Sequence, residues 1–505
     1  MNKKYTVSIL FLIAALFISM SLDLKSEKKV LRWAADNEGS APFINQDYDD
    51  ATKLIGFEKE IADALAEELG WESQFVYNSW DGLIPGLSRD DYDIAINGLE
   101  ITEDRAAVVT FSDPYFLTYE QLVVPVSDTS TKCLNDVFGK KCGTLKGSVA
   151  ERFLIATPGA IVKSYDNELT AFQEMQMGRL DAVLIDHPIA LYFCSWNKKA
   201  KMVGLPIGEV SYGIVLRKTD TKLIADINRA LAAIVKNGKL RIILERWNLW
   251  NYMLVSHFDD PNPSSVGHPA FKRFVESKGG GKSFGETVQR YIGYLPAFGQ
   301  GAVVTVTLSI LSMMLAIFAG LSLALMRVYG NRVISRAAII FIETVRGTPL
   351  LIQIMIIYYA LPMIGLQMPA FFAGVIGLGL NYAAYEAENY RAGLFSVPRG
   401  QIEAAMSLGM SKFQSLRHII LPQAIRLVIP PVTNDYISLL KDSSLVSLIA
   451  ITELTKVFLS FAARDFDFLG PGLMVAVIYL LIGLPFVKLA KIIEKRFSID
   501  HRKTV

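Results

Sequence analysis

Three stretches of the chain, 302–326, 347–385 and 468–487, hold no charged residue, whereas residues 30–300 mix polar and apolar positions and carry most of the charge. That division predicts a soluble half followed by a membrane half. In the first half short apolar runs alternate with helical patterns: LRWAA from Leu31, the amphipathic GFEKEIADALAEELG from Gly56, SQFVYN from Ser73 and DIAING from Asp93. Strand, helix, strand in that order suits an α/β fold with an open parallel sheet covered by helices. The second half is read as all-α, with five spans at about 302–326, 338–363, 370–392, 430–459 and 470–490. The fourth is the least apolar because it includes Asp435, Lys441, Asp442 and Glu453. Ionisable residues at membrane depth usually line a cavity or an interface.

Loop charges orient the spans. Arg327, Arg332 and Arg336 follow the first, Lys412, Arg417 and Arg426 the third, and Lys491, Lys495, Arg496 and Arg502 the fifth, so those sides are expected to be cytoplasmic. Residue 300 then lies outside. At the N-terminus two lysines precede the apolar run Tyr5–Ser19, which has signal-peptide length; cleavage after Ser21 and an uncleaved anchor both fit. Residues 256–283 contain DDPNPSS and KGGGKS, a composition that reads as a flexible or partly extended tether. GGGKS is not a phosphate loop, because Glu276 stands where the first glycine belongs and no apolar strand precedes it. The expected divisions are 1–28 signal or anchor, 29–252 soluble domain, 253–298 linker, 299–497 membrane domain and 498–505 tail.

One polar stretch, Glu403–Pro422, interrupts the membrane half. Gly409 divides it into two short helical pieces, Ser411 is placed to cap the second, and Phe413, Leu416 and Ile420 recur as one apolar stripe. A helix this short needs a partner. The order Glu403, Ala404, Ala405, Gly409, then Ile419, Leu421 and Pro422 resembles the EAA loop of permease subunits in ABC importers. The resemblance implies docking on an ATP-hydrolysing subunit through Glu403, Ala404, Ala405, Gly409 and Leu416. No stretch has the Gly-x4-Gly-Lys-Ser/Thr pattern, so the ATPase is expected in trans, with a homodimer of this chain supplying two docking sites. RGTPLL from Arg346, the segment Tyr385–Arg391 and Ile437–Leu445 resemble polar amino-acid permeases, with Glu388 and Lys441 as candidates for the translocation path or for structural pairing between helices.

The soluble half carries Pro42-Phe43, Gly56-Phe57-Glu58, WDGLIPGL from Trp80, ITEDR from Ile101 and FSDPY from Phe111. Over about 29–250 these resemble the periplasmic binding proteins for polar amino acids, which implies a two-lobed clamshell. Binding an amino acid requires a cation for its carboxylate and an anion for its ammonium, because neither charge is desolvated unpaired. Arg105 offers a bidentate fork for the carboxylate. Backbone N–H groups near Ser148 and Val149, where GTLKGS leads into a helix, are candidates for the same carboxylate. Asp186, ending the run LDAVLID, takes the ammonium by resemblance. Asp36 and Trp80 are expected to face the substrate side chain, and Gly98 and Glu100 complete the set. Glu100 departs from the family, which usually has a hydroxyl residue there; an extra carboxylate favours a cationic side chain or an ammonium, while Asp36 also occurs where amides are bound. Glu58 is read as either a site residue or solvated. Two crossings between lobes are expected near Leu122–Val126 and Gly208–Leu216.

The composition adds little. A net charge of +2 points to no particular partner, and no basic patch with interleaved aromatics supports nucleic-acid binding. No cofactor, metal or catalytic residue is expected. Of three cysteines, Cys133 and Cys142 are close enough in sequence for a disulfide, and three buried thiols fit equally. The expected function is the substrate-binding and permease subunit of an ATP-driven importer of polar amino acids, basic ones or glutamine, in a bacterial cytoplasmic membrane. The alternative is a ligand-gated ion channel using the same clamshell, although in such receptors the pore is inserted between the lobes.

Overall fold

The computed structural model describes residues 29–497 apart from 38–40, 51, 261–265, 279–283, 450 and 466. The signal segment 1–28, the tail 498–505 and the GGGKS run therefore lie outside the described residues.

Two five-stranded sheets make the first half. In the first lobe Val30–Ala35 is flanked in parallel by Glu72–Tyr77 and Ile94–Ala95, and Val215–Leu216 pairs antiparallel between Ile94–Ala95 and Thr110–Phe111. In the second, Ala182–Asp186 lies between Phe116–Pro125, antiparallel, and Lys141–Leu145, parallel, with Ala200–Tyr212 and Ile161–Tyr165 at the edges. Helix Phe57–Leu69 buries Ile61, Ala62, Leu65 and Ala66 and places Glu58 and Glu60 in its first turn. That apolar spacing gives it one core-facing stripe, and acidic residues suit a helix N-terminus. Its start requires Gly56, whose φ is +146° and where a Cβ would lie 2.1 Å from the Phe43 carbonyl oxygen.

The chain passes between lobes at Ser112–Tyr115 and again at Gly213–Ile214. The passes run side by side: the Tyr115 N–H donates to the Tyr212 carbonyl at 3.1 Å and the Ser112 N–H to that of Ile214 at 2.8 Å. The second falls within the expected window. The first comes earlier than Leu122–Val126, because Leu122 is already paired with Leu184 and Val203 inside the second sheet. An apolar run identifies a strand without saying which sheet it joins.

The stretch read as a tether is largely helical, over Tyr252–Phe258, Pro269–Lys278 and from Phe284 onward. Phe274 and Phe271 pack on Tyr192 at 4.7 and 5.1 Å between ring centroids, which the Pro and Gly content of the segment conceals. All three cysteines are free thiols, so the disulfide is not formed.

Phe284–Tyr329 is one helix of 46 residues and Leu469–Phe497 one of 29. Both contain a window long and apolar enough to cross a membrane. Ala370–Phe395, 26 residues, carries Glu386, Glu388 and Arg391 in its second half. The spans expected at 338–363 and 430–459 are each broken. Arg332–Arg346 meets Leu350–Ala360 at 107°, where Gly347 ends one helix and Pro349, lacking an N–H, precedes the next. In the other, Leu421–Asp442 gives way to a tight turn at Ser443–Ile449 and then to Leu454–Asp465, with a 56° bend. Hydropathy reports how apolar a stretch is and not where it turns.

The halves touch through charged and aromatic side chains. The Arg89 guanidinium lies 4.2 Å from the Tyr358 ring centroid, and it donates to the Tyr358 hydroxyl at 3.0 Å. Asp91 pairs with Arg89 at 2.9 Å and accepts from the same hydroxyl at 3.1 Å. Elsewhere Lys456 sits over the Tyr77 ring and Arg464 donates to the Asp47 carbonyl at 3.1 Å.

Gly56→Ala should destabilise the first lobe by roughly 3 kcal/mol or more, since it adds a clash to a backbone conformation open in practice to glycine alone. A thermal midpoint unchanged from wild type would refute the close approach at Phe43.

Candidate functional site

The cleft between the lobes gathers most of the residues singled out in the sequence. Thr102 caps the short helix Glu103–Ala106 and accepts the Arg105 N–H, which fixes the base of that arginine. Its guanidinium donates to the Glu100 carboxylate, to the Glu100 carbonyl at 3.0 Å and, across the cleft, to the Gly147 carbonyl at 3.1 Å. Trp80 lies 4.9 Å from it. The indole N–H donates to the Asn97 carbonyl at 3.1 Å, and the Trp80 backbone N–H donates to Asp36 Oδ2 at 3.1 Å. Asn97 Oδ1 in turn accepts the Asp36 N–H at 2.9 Å, so Asp36 and Trp80 form one wall.

Gly98 is tied from below. Its N–H donates to Glu58 Oε1 at 2.7 Å, and the same oxygen accepts the Tyr115 hydroxyl. Glu58 is fully buried, not solvated, and burial pushes its carboxyl up to about 7. On the far lobe, helix Val149–Ala156 begins at Ser148, whose hydroxyl accepts the Glu151 N–H and donates to the Leu145 carbonyl at 2.7 Å. That hydroxyl is committed to the helix end. The Val149 N–H points into the cleft and donates to Glu100 Oε1 at 2.8 Å.

Asp186 ends its strand in register with Glu120 on the antiparallel neighbour. Side chains at such opposed positions meet, so two carboxylates face each other. One oxygen from each of Glu100, Glu120 and Asp186 falls within 4.8 Å of the other two, a spacing that suits a cation. Both Glu120 oxygens and Asp186 Oδ1 are buried without a donor. Burial, reinforced by the neighbouring charges, holds Glu120 well above the ordinary carboxylate range and pushes Asp186 up to about 7. The adjacent His187 is no counter-ion, since burial lowers it to about 4. Glu120 was missed in the sequence because the run FLTYEQLVVP reads as strand, and only the register reveals its partner.

In the membrane half Glu388 is paired with Arg327 and with Arg391 at 2.8 Å, so its charge is neutralised in place. Lys441 is exposed in the last turn of its helix. Glu386, not singled out from sequence, is fully buried with neither oxygen accepting a hydrogen bond, and its Cβ packs where a side chain on Gly320 would be. Nearby on the same helix Asn389 donates to Asp435 at 2.8 Å.

The polar loop consists of helix Arg399–Ser407, a left-handed Gly409 with φ of 83°, and a second helix capped by Ser411 and Gln414 reciprocally. The second piece is not short: it continues through a wider turn at Leu416–Ile420 into Leu421–Asp442. Glu403, Ala404 and Gly409 are exposed and Ala405 is buried. The stripe is split, with Phe413 69% exposed and Leu416 half-buried, while Leu408 at 85% adds a second projecting apolar residue.

A two-lobed clamshell with a charged cleft, continuous with a set of membrane-crossing helices, defines a solute-binding domain fused to a transporter permease. The description of bacterial extracellular solute-binding proteins, family 3, matches residues 31–249, and that of the binding-protein-dependent transport system inner membrane component matches 312–499. Over 207 residues, 41% of this chain, it is 36% identical to 94% of the glutamine transport system permease protein GlnP of Escherichia coli. It is also 37% identical, over 42% of its length, to 96% of the probable amino-acid permease protein YxeN of Bacillus subtilis. An ancestral arginine-binding protein bound to arginine is 37% identical over 44% of this chain and 99% of that one, with a TM-score of 0.41. The chain belongs to the binding-protein-dependent inner membrane transport components and is a binding-domain and permease fusion of an amino-acid ABC importer. The ion-channel alternative finds no support in these relatives.

Because Glu58, Glu120 and Asp186 hold protons more tightly folded than unfolded, the native state carries more protons above about pH 5. Stability of the ligand-free protein should therefore fall as pH rises from about 5 to 8. Each extra proton retained costs roughly 1.4 kcal/mol per pH unit, so the loss should reach a few kcal/mol. Glu120→Gln should flatten that fall in thermal melts; an equal slope in both proteins would show that the pair is not its source.

Proposed function

We propose that this chain binds a cationic amino acid of the arginine or lysine class outside the cytoplasmic membrane and passes it through its own membrane half, driven by a separate ATPase. The observation that carries this reading is the charge balance of the cleft: Glu100, Glu120 and Asp186 converge, and Arg105 is the cation paired among them. Three carboxylates against one guanidinium leave an excess of two negative charges; a ligand with two positive charges and one negative halves that excess, whereas one with a neutral side chain leaves it whole. In this reading Arg105 and the Val149 N–H take the carboxylate, Asp186 and Glu120 the ammonium, and Asp36, Trp80 and Glu100 the side chain.

The lysine and arginine bias of the loops supports a clamshell outside and the 403–422 loop inside. Leu408 and Phe413 project there as apolar anchors for an ATPase surface. Two ATPase copies need two such loops, so two copies of this chain are the assembly expected. For the membrane path Glu386 replaces Glu388 as the better candidate, since its carboxylate is unmatched and Glu388 is held by two arginines.

Calorimetry on the full chain in detergent should give arginine a dissociation constant on the order of micromolar, near −8 kcal/mol. Arg105→Ala should abolish it. Affinity should fall as the pH drops below about 7, because the cation displaces protons held by Asp186 and Glu120. Wild-type affinity in the variant would remove Arg105 from the site.

Phe413→Glu places a charge in the proposed ATPase contact and should cost several kcal/mol of association. The variant should bind arginine normally but lose the ATP-hydrolysing subunit on copurification, along with uptake into vesicles. Normal copurification and uptake would place the docking surface elsewhere.

A further inference from the structure

The groups suited to an amino acid's carboxylate are already occupied by a carboxylate of the chain. Glu100 rises from the first lobe, after strand Ile94–Ala95; its Oε2 takes the Arg105 guanidinium and its Oε1 accepts the Val149 N–H of the second lobe at 2.8 Å. With Arg105 also reaching the Gly147 carbonyl at 3.1 Å, the two lobes are bridged by groups of the chain itself. An arriving carboxylate can take this seat only by displacing Glu100.

Glu100 is 2% exposed, and Glu120, Asp186 and the Tyr212 phenol are gathered near it. A displaced Glu100 would join two carboxyls of which both Glu120 oxygens and Asp186 Oδ1 already lack a donor. It is accommodated if the ligand brings a cation beyond its α-ammonium. We propose that Glu100 is an internal stand-in for the ligand carboxylate and thereby sets selectivity: a basic amino acid takes Arg105 from Glu100 and returns its own side-chain cation to it, an exchange a neutral side chain cannot make. This rests on the importer reading above and adds a residue whose role is to oppose the wrong ligand. Uncompensated carboxylate burial is the repulsive element, and Arg105 is the shared partner.

The test uses the full chain in detergent, titrated with L-arginine and L-glutamine, in wild type, Glu100→Ser and Glu100→Gln. Serine removes the stand-in, so glutamine should bind at least tenfold tighter and the arginine-to-glutamine ratio should fall at least tenfold, about 1.4 kcal/mol. Glutamine at position 100 keeps the shape and an acceptor for the Val149 N–H while dropping the charge, and should give a smaller change in the same direction; it carries the test if the serine variant does not fold. A parallel loss for both ligands would make Glu100 a merely structural residue and overturn the proposal. A loss confined to arginine, with glutamine unchanged, would make Glu100 a direct contact with no displacement and overturn it equally. If wild type binds neither these nor any other amino acid, the functional reading itself fails and the exchange falls with it.

Discussion

A carboxylate taken out of water must meet a cation or a proton, and the clamshell is built around that requirement. Glu100, Glu120 and Asp186 reach the cleft from three different segments, yet the arginine that answers them is Arg105. The backbone holds them together firmly. Register fixes Asp186 against Glu120, Glu58 ties down the Gly98 loop, and Ser148 caps the helix that presents the Val149 N–H. The three carboxylates are buried, so the cleft holds more negative than positive charge out of water.

Much of this was legible because the informative residues sit in local patterns. Arg105 lies one short turn after the cap Thr102 and could be singled out from residue type and position, whereas Asp186, at the end of an apolar strand, was singled out only through resemblance. Glu120 was not legible, because its meaning depends on which strand lies beside it, and pairing between distant strands leaves no mark in the run itself. The same limit misplaced the first crossing: Leu122–Val126 is as apolar as a connection or a core strand would be. In the membrane half, composition located the helices but not their bends. The 107° turn after Arg346 depends on Gly347 and Pro349, two residues inside a stretch that averages as apolar.

The loop at 403–422 illustrates a different limit. Its capping residues and Gly409 behave locally as their chemistry dictates, and the reciprocal Ser411–Gln414 bonds follow from spacing alone. Whether the second helix stopped or continued was decided by the residues beyond Ile420. Pro422 lies inside this continuous helix directly after the wider turn at Leu416–Ile420, where the regular i→i−4 bonding is already interrupted, and the helix runs on to Asp442. The part of the loop after Gly409 is thereby continuous with the helix that carries Asp435 to Asn389, three residues from Glu386.

The helix Phe284–Tyr329 is about 69 Å long at 1.5 Å per residue, more than twice the hydrocarbon thickness of a bilayer. Its first turns therefore stand clear of the lipid, where Arg290 pairs with Asp467 at 3.1 Å. Between Lys278, the last residue of the preceding helix, and Phe284 lie only five residues, at most about 18 Å of chain. The binding domain therefore stays close to the membrane half of its own chain. Its encounters with its own gate become a first-order process, and the kinetics of uptake would depend on ligand and ATP but not on the abundance of a diffusing receptor.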